Sequence, residues 1–479
     1  MRKENCMEVL DTIAAISTPH GKGGVALLRV SGRDSVAVAS KVFRTKSGRA
    51  VLESAPARQA VYGSIFAPEG QTWQPIDDGI ATVFYGPASF TGEDTVEICC
   101  HGGVLLTQTV LSALLAAGAR TARPGEFTRR AFLNGKLGLN AAQALGSLLE
   151  AGNRQQLTLA YGGMGGRLEA RTRACYEQMR SVMSAVLACI DFPDEDLAEM
   201  SREDMEQALN GTLVELRALA DTYRTGHAVA EGIPTVICGR TNVGKSSLYN
   251  AILGYDAAIV TDVEGTTRDV LCEAATLGSV TLRLYDTAGL RHTDDPVERI
   301  GIDRAQAAMQ GAELILAVFD ATRPLEKDEI ELLDELSVRE ARGEACVIGL
   351  LNKSDDKTEP TIADEVLRVV KGSLSHVLCM SAKTGEGMER LAAMVNEMFV
   401  DGSLDLRDDA VIVNARQQAA VERAVEALCR ALDALEQGLP IDVCCVDLTD
   451  AMQALSELDG RQISEDIVSE IFSHFCVGK

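Results

Sequence analysis

Residues 239–246 read Gly-Arg-Thr-Asn-Val-Gly-Lys-Ser, and they follow the apolar run Thr-Val-Ile-Cys at 235–238. The run is typical of a buried strand, and residues 247–253 favour a helix. Strand, glycine-rich turn and helix in this order are the context of a phosphate-binding loop. The glycines let backbone N–H groups face phosphate oxygens, and the helix N-terminus adds its dipole. We therefore expect Lys245 to reach the β- and γ-phosphates and Ser246 to ligate Mg²⁺.

Further motifs follow in the order that a nucleotide-hydrolysing domain requires. The sequence Thr-Thr-Arg-Asp at 266–269 offers Thr267 as a second Mg²⁺ ligand. The predicted strand 282–285 leads into Asp286-Thr-Ala-Gly, which supplies a carboxylate of the Walker-B type and a backbone N–H for the γ-phosphate. These motifs predict binding and hydrolysis of a nucleoside triphosphate.

The last two motifs determine which nucleotide base the domain recognises. Asn-Lys-Ser-Asp at 352–355 follows the predicted strand 346–351, and Asp355 can accept both N1–H and the exocyclic amine of guanine, a donor pair that adenine lacks. Ser381-Ala-Lys follows the strand 377–380, and its backbone can contact the guanine O6. The predicted GTP-binding residues are Asn242, Val243, Gly244, Lys245, Ser246, Ser247, Thr261, Thr266, Thr267, Asp286, Thr287, Ala288, Gly289, Asn352, Lys353, Asp355, Ser381, Ala382 and Lys383.

Hydrolysis needs a group that orients the attacking water. In small signalling GTPases a glutamine follows the D-x-x-G motif, but here that position is Leu290. An oxygen of Asn242 could coordinate a monovalent cation between the phosphates, and Glu298 is a candidate to position water. A glutamate in a polar loop is more often only a solvated charge, so the residues alone leave the role of Glu298 open.

Composition restricts the class of protein. The chain of 479 residues has 46 basic and 70 acidic side chains, a net charge of −24, which disfavours non-specific nucleic-acid binding over the whole surface. An RNA partner would have to meet a local patch or a second protein. We find no apolar run long enough to span a membrane and no secretion signal at the start. The 13 cysteines include no C-x-x-C pair, and we expect a reducing cytoplasm.

The pattern along the chain predicts a multidomain α/β protein. Residues 1–135 hold short β-type runs at 25–30, 79–84 and 95–99 and a helical stretch at 103–117, which indicates an α+β domain. Residues 232–399 alternate strands and helices, as in an inserted P-loop GTPase (Ras-like) α/β domain. Residues 136–231 and 400–479 show helical spacing and are predicted to form one discontinuous helical domain. One predicted core-facing stripe is Met179, Val182, Met183, Val186, Leu187 and Ile190.

Motifs outside the nucleotide site carry a resemblance to a known family. They are Gly-Gly-Val-Ala-Leu-Leu-Arg-Val-Ser-Gly at 23–32, Ser-Phe-Thr-Gly-Glu-Asp at 89–94, Arg-Pro-Gly-Glu-Phe-Thr at 123–128, Ile-Asp-Phe-Pro-Asp-Glu-Asp at 190–196, and the terminal Phe-Cys-Val-Gly-Lys at 475–479. Over nearly its whole length the chain resembles the tRNA-modification GTPases of the MnmE (TrmE) family.

The resemblance implies further properties. The N-terminal domain looks like a tetrahydrofolate-binding and homodimerising module, with Arg29, Glu97, Lys136 and Lys479 at the positions of the family's folate contacts. In the family, K⁺ draws the nucleotide domains of a dimer together and speeds hydrolysis. The matching K⁺ positions are Asn242, Thr261, Val263 and Thr266.

Two implied catalytic positions lie outside the motifs above. Glu298 falls on the family's water-positioning glutamate, and Cys476 matches a cysteine that modification requires. The family acts with the FAD-containing flavoprotein MnmG (GidA). Together they install an aminomethyl or carboxymethylaminomethyl group at C5 of the wobble uridine (U34) of certain tRNAs, with methylene-tetrahydrofolate as carbon donor.

This chain departs from the family pattern at two places. Lys22 stands where arginine is common, and Gln417 stands where histidine is frequent. Two rival functions remain open, a ribosome-assembly GTPase and a dimerising scaffold GTPase, both without modification chemistry. A ribosome-assembly GTPase would add a basic RNA-binding domain, and a scaffold would lack a folate site.

Overall fold

The computed structural model describes residues 11–191, 200–255, 272–285, 310–356, 359–440, 442–460, 465–473, 475 and 478. These residues divide into two compact units. The first comprises residues 1–146 and 459–479, and the second comprises residues 147–458.

Strands and helices are numbered along the described residues. The strands are β1 (Ile13–Ile16), β2 (Val25–Ser31), β3 (Phe43–Arg44), β4 (Ala60–Glu69), β5 (Thr72–Phe84), β6 (Thr95–His101), β7 (Arg120–Thr121), β8 (Ile233–Cys238), β9 (Cys272–Leu277), β10 (Val280–Tyr285), β11 (Leu314–Asp320), β12 (Cys346–Asn352) and β13 (His376–Cys379). The helices are α1 (Ser35–Val42), α2 (Val104–Ala117), α3 (Glu126–Leu133), α4 (Leu139–Glu150), α5 (Arg154–Gly163), α6 (Arg167–Asp191), α7 (Arg202–Asp221), α8 (Tyr223–Ala230), α9 (Lys245–Tyr255), α10 (Lys327–Ala341), α11 (Pro360–Ser373), α12 (Met388–Phe399), α13 (Ala415–Glu436), α14 (Val443–Leu458) and α15 (Glu465–Ser473).

The first unit is built on a seven-stranded sheet with the order β3-β4-β5-β6-β2-β1-β7. Strand β2 lies between β1 and β6 and is antiparallel to both. Its alternate residues Leu28 and Val30 are fully buried, and they share a core with Val110 and Leu114 of α2. This period of two against an apolar helix face produces the predicted α+β domain.

The C-terminal helix α15 also belongs to the first unit. Val468 and Phe472 form a small core with Ala142, and the Phe472 ring lies 6.2 Å from that of Phe132. Gly125 has a φ of 62°, and a Cβ atom there would lie 2.4 Å from the carbonyl oxygen of Phe472. The end of the chain therefore packs closely against the segment before α3.

The second unit contains a six-stranded sheet with the order β13-β12-β11-β8-β10-β9. Only the pairing of β10 with β9 is antiparallel. Every residue of β11 is buried, as expected of a strand that is covered on both faces. Parallel strands bring their carboxyl ends to one edge of the sheet, and the predicted nucleotide motifs follow those ends. The predicted α/β class is confirmed for this part of the chain.

Helices from both sides of the sheet region pack together in the second unit. Met179 and Val182 of α6 share one core with Val421 and Leu428 of α13 and with Leu455 of α14. This shared core confirms the predicted helical domain built from both flanks.

The predicted stripe on α6 is partly wrong. Met179, Val182 and Val186 are buried, whereas Leu187 and Ile190 are 46% and 43% exposed. These two residues lie in the last turn and a half of α6, beyond the part of the helix that joins the shared core. Helical spacing defines a face of a helix, but it does not fix how far the covering neighbours extend.

The two compact units divide the chain differently from the predicted domain boundaries. Residues 459–479 group with the N-terminal residues, because α15 packs against α3, whereas the prediction placed 400–479 with the helices. The six-stranded sheet and the helices form one unit, because Leu159 and Val229 of the helices share a hydrophobic core with the sheet residues. The division into three domains at residues 135, 231 and 399 stays a prediction.

Candidate functional site

The glycine-rich loop joins β8 to α9. Gly239, Asn242 and Gly244 have positive φ angles of 133°, 65° and 104°. A Cβ atom on Gly239 would lie 2.3 Å from the carbonyl oxygen of Val318, and one on Gly244 would lie 2.1 Å from Nδ2 of Asn352. Only glycine fits at these two positions. The loop is therefore a close-packed backbone cradle, the form that a phosphate group requires.

Lys245 folds back over this loop. Its Nζ donates hydrogen bonds to the carbonyl oxygens of Gly239 and Arg240, both at 2.7 Å. Burial lowers the pKa of Lys245, because desolvation disfavours the ammonium form. A phosphate oxygen would offer this ammonium a full negative charge in place of neutral carbonyls. Ser246 and Ser247 follow in the first turn of α9 with exposed side chains, so Ser246 is accessible to a metal ion.

Asn352, the last residue of β12, connects three segments of the site. Its Nδ2 donates to the carbonyl oxygen of Val243 at 2.8 Å, and its Oδ1 accepts from the backbone N–H of Ala382 at 2.9 Å. The residue is 4% exposed. Asn352 thus links the glycine-rich loop to the segment that was predicted to contact the base, and its role is structural as much as ligand-binding.

Asp355 lies three residues further on and keeps an ionised carboxylate. Ser381 Oγ donates to its Oδ1 at 2.6 Å, and Lys383 Nζ lies 3.7 Å from Oδ2. The Ser381 hydrogen bond, assisted by the charge of Lys383, holds the pKa of Asp355 below its usual value. An ionised carboxylate accepts hydrogen bonds but cannot donate them. The group is therefore suited to a ring edge with two adjacent N–H donors.

Lys353 and Asp320 form a second ion pair beside this segment. Lys353 has a φ of 70°, and its Nζ donates to Asp320 Oδ2 at 2.6 Å. Burial opposes ionisation of Asp320, but hydrogen bonds from Lys353 and Thr322 hold the pKa of its carboxyl below the usual value. Sequence reasoning missed Asp320. Its only signal was a carboxylate at the end of an otherwise apolar strand.

In the first unit, Arg29 and Glu97 lie opposite each other on β2 and β6. Arg29 Nε and Nη2 both donate to Oε1 of Glu97, at 3.0 Å and 2.8 Å. The guanidinium carbon also lies 5.4 Å from the ring centre of Phe90 and 5.7 Å from that of Phe127. The arrangement is a half-buried ion pair whose guanidinium lies beside the partly buried Phe90 and the fully buried Phe127, so that charge and apolar surface lie together.

Lys136 and the C-terminal tail lie close to residues that neighbour this pair. Lys136 Nζ donates to the carbonyl oxygen of Pro87 at 2.9 Å. A Cβ atom added to Gly92, in the loop that carries Phe90, would lie 3.2 Å from Cγ of Lys136. The carbonyl oxygen of Gly478 accepts from Ser17 Oγ at 3.0 Å, directly after β1. Strand β1 pairs with β2 at Arg29, and Ser17 directly follows β1. Gly478, the residue before Lys479, therefore lies near the Arg29–Glu97 pair.

Lys22 and His101 lie elsewhere in the first unit, beside an open cavity of about 840 Å³ that also touches Val104 and Leu105. His101 ends β6, and its Nδ1 lies 2.7 Å from Oδ1 of Asp77. This contact ties the His101 ring to Asp77 of β5. Lys22 is exposed and lies away from the nucleotide motifs in sequence.

Several predicted site residues lie outside the described residues, and their roles stay predictions. They are Thr261, Val263, Thr266, Thr267, Asp286, Thr287, Ala288, Gly289, Glu298, Cys476 and Lys479.

Comparison with known proteins adds to this geometry. The family model described as the MnmE helical domain matches residues 139–476, and the one described as the GTP-binding protein TrmE N-terminus matches residues 12–136. The tRNA modification GTPase MnmE of Symbiobacterium thermophilum is 41% identical over 98% of this chain and 99% of its own length. The chain belongs to the MnmE family. Membership confirms the predicted family and the predicted enzyme class, a GTPase of tRNA modification.

Other members are similar over the same extent. MnmE of Clostridioides difficile is 36% identical over 99% of this chain and 100% of its own length. Among solved structures, a variant of Aquifex aeolicus Era bound to GDP and AlF₄⁻ has 22% identity and a TM-score of 0.29, covering 40% of this chain and 65% of that chain. Within the described residues, no helix has the length and apolar character that crossing a membrane requires.

A buried arginine was also missed by sequence reasoning. Arg130 has a side chain only 3% exposed, and it forms ion pairs with Asp11 at 2.6 Å and with Glu93 and Glu126, each at 3.1 Å. The sequence showed only a basic residue shortly after the motif at 123–128. The network ties the loop before β6 to α3, and so fixes the loop that carries Phe90.

Proposed function

We propose that this chain is the GTP-hydrolysing subunit of a cytoplasmic complex that modifies the wobble uridine of certain tRNAs. The complex adds an aminomethyl or carboxymethylaminomethyl group to C5 of U34, and the one-carbon unit comes from methylene-tetrahydrofolate. The observation that carries this proposal is the half-buried Arg29–Glu97 pair, which lies beside the ring of Phe90 and near Gly478.

The chemistry of this pair suits a reduced folate. The pterin ring presents a ring N–H and an exocyclic amine side by side, the same donor pattern as guanine, and Glu97 offers a carboxylate to such an edge. Phe90, which is only partly buried, offers apolar surface to a flat ring. Lys136 and Lys479 add positive charge that a glutamyl carboxylate would attract. These four positions, Arg29, Glu97, Lys136 and Lys479, are the proposed folate contacts.

In the nucleotide domain, the proposed site residues have separate roles in phosphoryl transfer. Lys245 and the loop backbone would hold the β- and γ-phosphates, Ser246 and Thr267 would hold Mg²⁺, and Asp286 would supply the Walker-B carboxylate. Mg²⁺ held there would neutralise charge that develops on the phosphate oxygens. Asp355 selects guanine, and the segment 381–383 closes the base site. The tight cradle at Gly239 and Gly244 supports this assignment.

Glu298 is proposed to orient the attacking water, because Leu290 has no group that can do so. Asn242, Thr261, Val263 and Thr266 are proposed to hold K⁺ near the phosphates. The positive φ of Asn242 supports its part, since it sets this side chain in the turn of the phosphate loop.

The proposed partners are a second copy of the chain, the FAD-containing flavoprotein MnmG and tRNA. A homodimer is supported by apolar side chains on the first unit, with Val25 and Leu105 67% and 79% exposed. FAD would be held by the partner. Cys476 is proposed to take part in modification, because it matches the cysteine that the family requires.

Mass spectrometry of wobble uridines tests this function. In a strain that lacks this gene, we expect U34 of the substrate tRNAs to lose the C5 substituent, and re-expression to restore it. A variant with Lys245→Ala should not restore it, because the phosphate-binding ammonium is absent. Unchanged wobble uridines in the deletion strain would contradict the proposal and favour a ribosome-assembly or scaffold role.

Folate binding by the full chain is a separate prediction. We expect 5-formyl-tetrahydrofolate to bind at sub-millimolar concentration in calorimetric titration. Arg29→Ala should weaken binding about tenfold or more, since it removes a charged partner and leaves Glu97 half-buried and unpaired. Arg33→Ala removes an equal charge from the exposed turn after β2 and should leave the affinity unchanged. An absence of detectable binding by the wild-type chain would exclude the folate site.

A further inference from the structure

One face of the first unit combines basic and aromatic side chains at the edge of its sheet. We call it the β3–β5 face and define it by Arg44, Lys46, Tyr62, Phe66 and Trp73. The Arg44 guanidinium carbon lies 5.4 Å from the ring centre of Phe66 and 5.9 Å from that of Trp73. Lys46 Nζ lies 5.8 Å from the ring centre of Tyr62. Cations and aromatic rings therefore alternate across three neighbouring strands and the turn after β3.

The backbone holds Arg44 in this position. Its Nε and Nη2 donate to the carbonyl oxygen of Lys41 at 3.1 Å and 2.8 Å, so the guanidinium is fixed beside the rings. Within the described residues, Arg44 and Arg49 form no ion pair with a carboxylate. Lys46 pairs loosely with Asp78 at 3.5 Å, and its side chain remains 70% exposed. Two cations are thus available to a ligand, and a third is only partly engaged.

The segment that carries Arg44 and Lys46 is opposite in charge to the chain as a whole, whereas β4 and β5 contribute Glu69, Asp77 and Asp78 and no basic side chain. Residues 33–58 contain six basic and two acidic side chains, whereas the whole chain has a net charge of −24. An acidic protein repels a polyanion over most of its surface, so a local basic patch determines where such a partner can bind. Phosphate groups are the partners that a cluster of arginine and lysine fits.

The aromatic rings narrow the class of polyanion. Tyr62 is 62% exposed, and Phe66 and Trp73 are half-buried. Unpaired nucleotides bind by stacking bases on aromatic or arginine planes while their phosphates meet nearby cations. Duplex RNA keeps its bases stacked on one another and would gain only the phosphate contacts. A basic patch that alternates with rings therefore favours a single-stranded loop.

We propose that the β3–β5 face binds an unpaired loop of the tRNA substrate. Bases stack on Tyr62 and Trp73, and phosphates bind Arg44, Lys46 and Arg49. This inference rests on the proposed function only in taking tRNA as the substrate, and it assigns to this chain an RNA contact of its own.

The chain carries its own probe for a direct test, because Trp73 is its single tryptophan. A 17-nucleotide anticodon stem-loop RNA should quench the fluorescence of the full chain saturably, and a blunt duplex of the same stem should quench it far less. Anisotropy of the labelled stem-loop gives the affinity of variants. The double variant Arg44→Ala with Arg49→Ala should bind the stem-loop about tenfold more weakly. The slope of the logarithm of the binding constant against the logarithm of salt concentration should fall in magnitude by about one to two.

Matched variants separate this binding from general charge and from misfolding. Arg368→Ala with Lys371→Ala removes the same charge from the exposed side of α11 and should leave the affinity unchanged. Arg44→Lys keeps the charge but loses the planar group, and it should weaken stem-loop binding while leaving duplex binding unaltered. Thermal unfolding and GTP hydrolysis report whether each variant is folded.

Three results would overturn the proposal. They are equal affinity of the two double variants, equal quenching by loop and duplex, and no stem-loop binding by the wild-type chain. If an acidic protein quenches the fluorescence of Trp73 and the stem-loop RNA does not bind, the β3–β5 face is a protein-binding surface. The proposed function is judged separately by the wobble-uridine spectra. Modified U34 in a strain whose chain binds no stem-loop would reject the face and keep the function.

Discussion

Replacing Asp355 with asparagine is expected to lower the affinity of the full chain for GTP by about 100-fold or more and to create affinity for xanthosine triphosphate. The ionised carboxylate accepts from Ser381 at 2.6 Å and is suited to the two N–H donors of guanine. Asparagine replaces one acceptor oxygen by a donor NH₂, which opposes the guanine amine and matches the 2-oxo group of xanthine. The variant thus loses a charge-assisted hydrogen bond to the guanine amine and places two donors against each other, and both changes weaken GTP binding.

Competition against a fluorescent guanine nucleotide measures this change of preference. Ser381→Ala is the matched control, because it removes the hydroxyl that orients Asp355 but leaves the carboxylate in place. We expect this variant to bind GTP more weakly and to keep its preference for guanine over xanthine. Retention of wild-type GTP affinity by Asp355→Asn, or no gain for the xanthine nucleotide, would show that another residue reads the base.

The nucleotide sheet was well predicted because its signals are local. The predicted strand 235–238 lies within Ile233–Cys238, and the predicted strand 346–351 lies within Cys346–Asn352. Each is a buried apolar run that ends at a phosphate- or base-binding motif. Sequence therefore located the ends of the strands, where the ligand groups must be, to within one or two residues.

The N-terminal sheet was predicted less well, because it depends on long-range pairing. The structure extends the strand predicted at 79–84 back to Thr72. Its first half includes Pro75 and two aspartates, which disfavour a strand locally. This half is nevertheless a strand, because it pairs with β4, with a register shift between Ile65 and Phe66. Propensity is overridden here by a partner strand.

The packing of the C-terminal tail could not be predicted for a similar reason. A Cβ atom on Gly146 would lie 3.0 Å from Cζ of Phe475, and one on Gly125 would lie 3.0 Å from its Cβ. More than 300 residues separate these glycines from Phe475, and nothing in the spacing of either motif connects them. Sequence identified the tail motif as a family feature, but only the three-dimensional contacts bring it to the first unit.

The second large effect is expected from the monovalent cation. Replacing K⁺ by Na⁺ should slow GTP turnover tenfold or more, because K⁺ would supply the positive charge that an arginine finger supplies elsewhere, and such a finger accelerates hydrolysis about 10³–10⁵-fold. Turnover of purified full chain in matched KCl and NaCl, at several protein concentrations, measures this. If K⁺ acts by joining the two nucleotide domains of the proposed homodimer, the rate per chain in KCl should fall when dilution dissociates the dimer.

Asn242 allows a variant that isolates the cation contact from the backbone. Its φ of 65° is a conformation that alanine adopts with strain but glycine adopts freely. Asn242→Gly therefore removes the side-chain oxygen and preserves the loop, and it should abolish the difference between the two salts while GTP still binds. Asn242→Asp keeps an oxygen and tolerates positive φ, so it should retain a preference for K⁺. Equal rates in KCl and NaCl for the wild-type chain would remove Asn242 from this role, and the compensation for Leu290 would then rest on Glu298 alone.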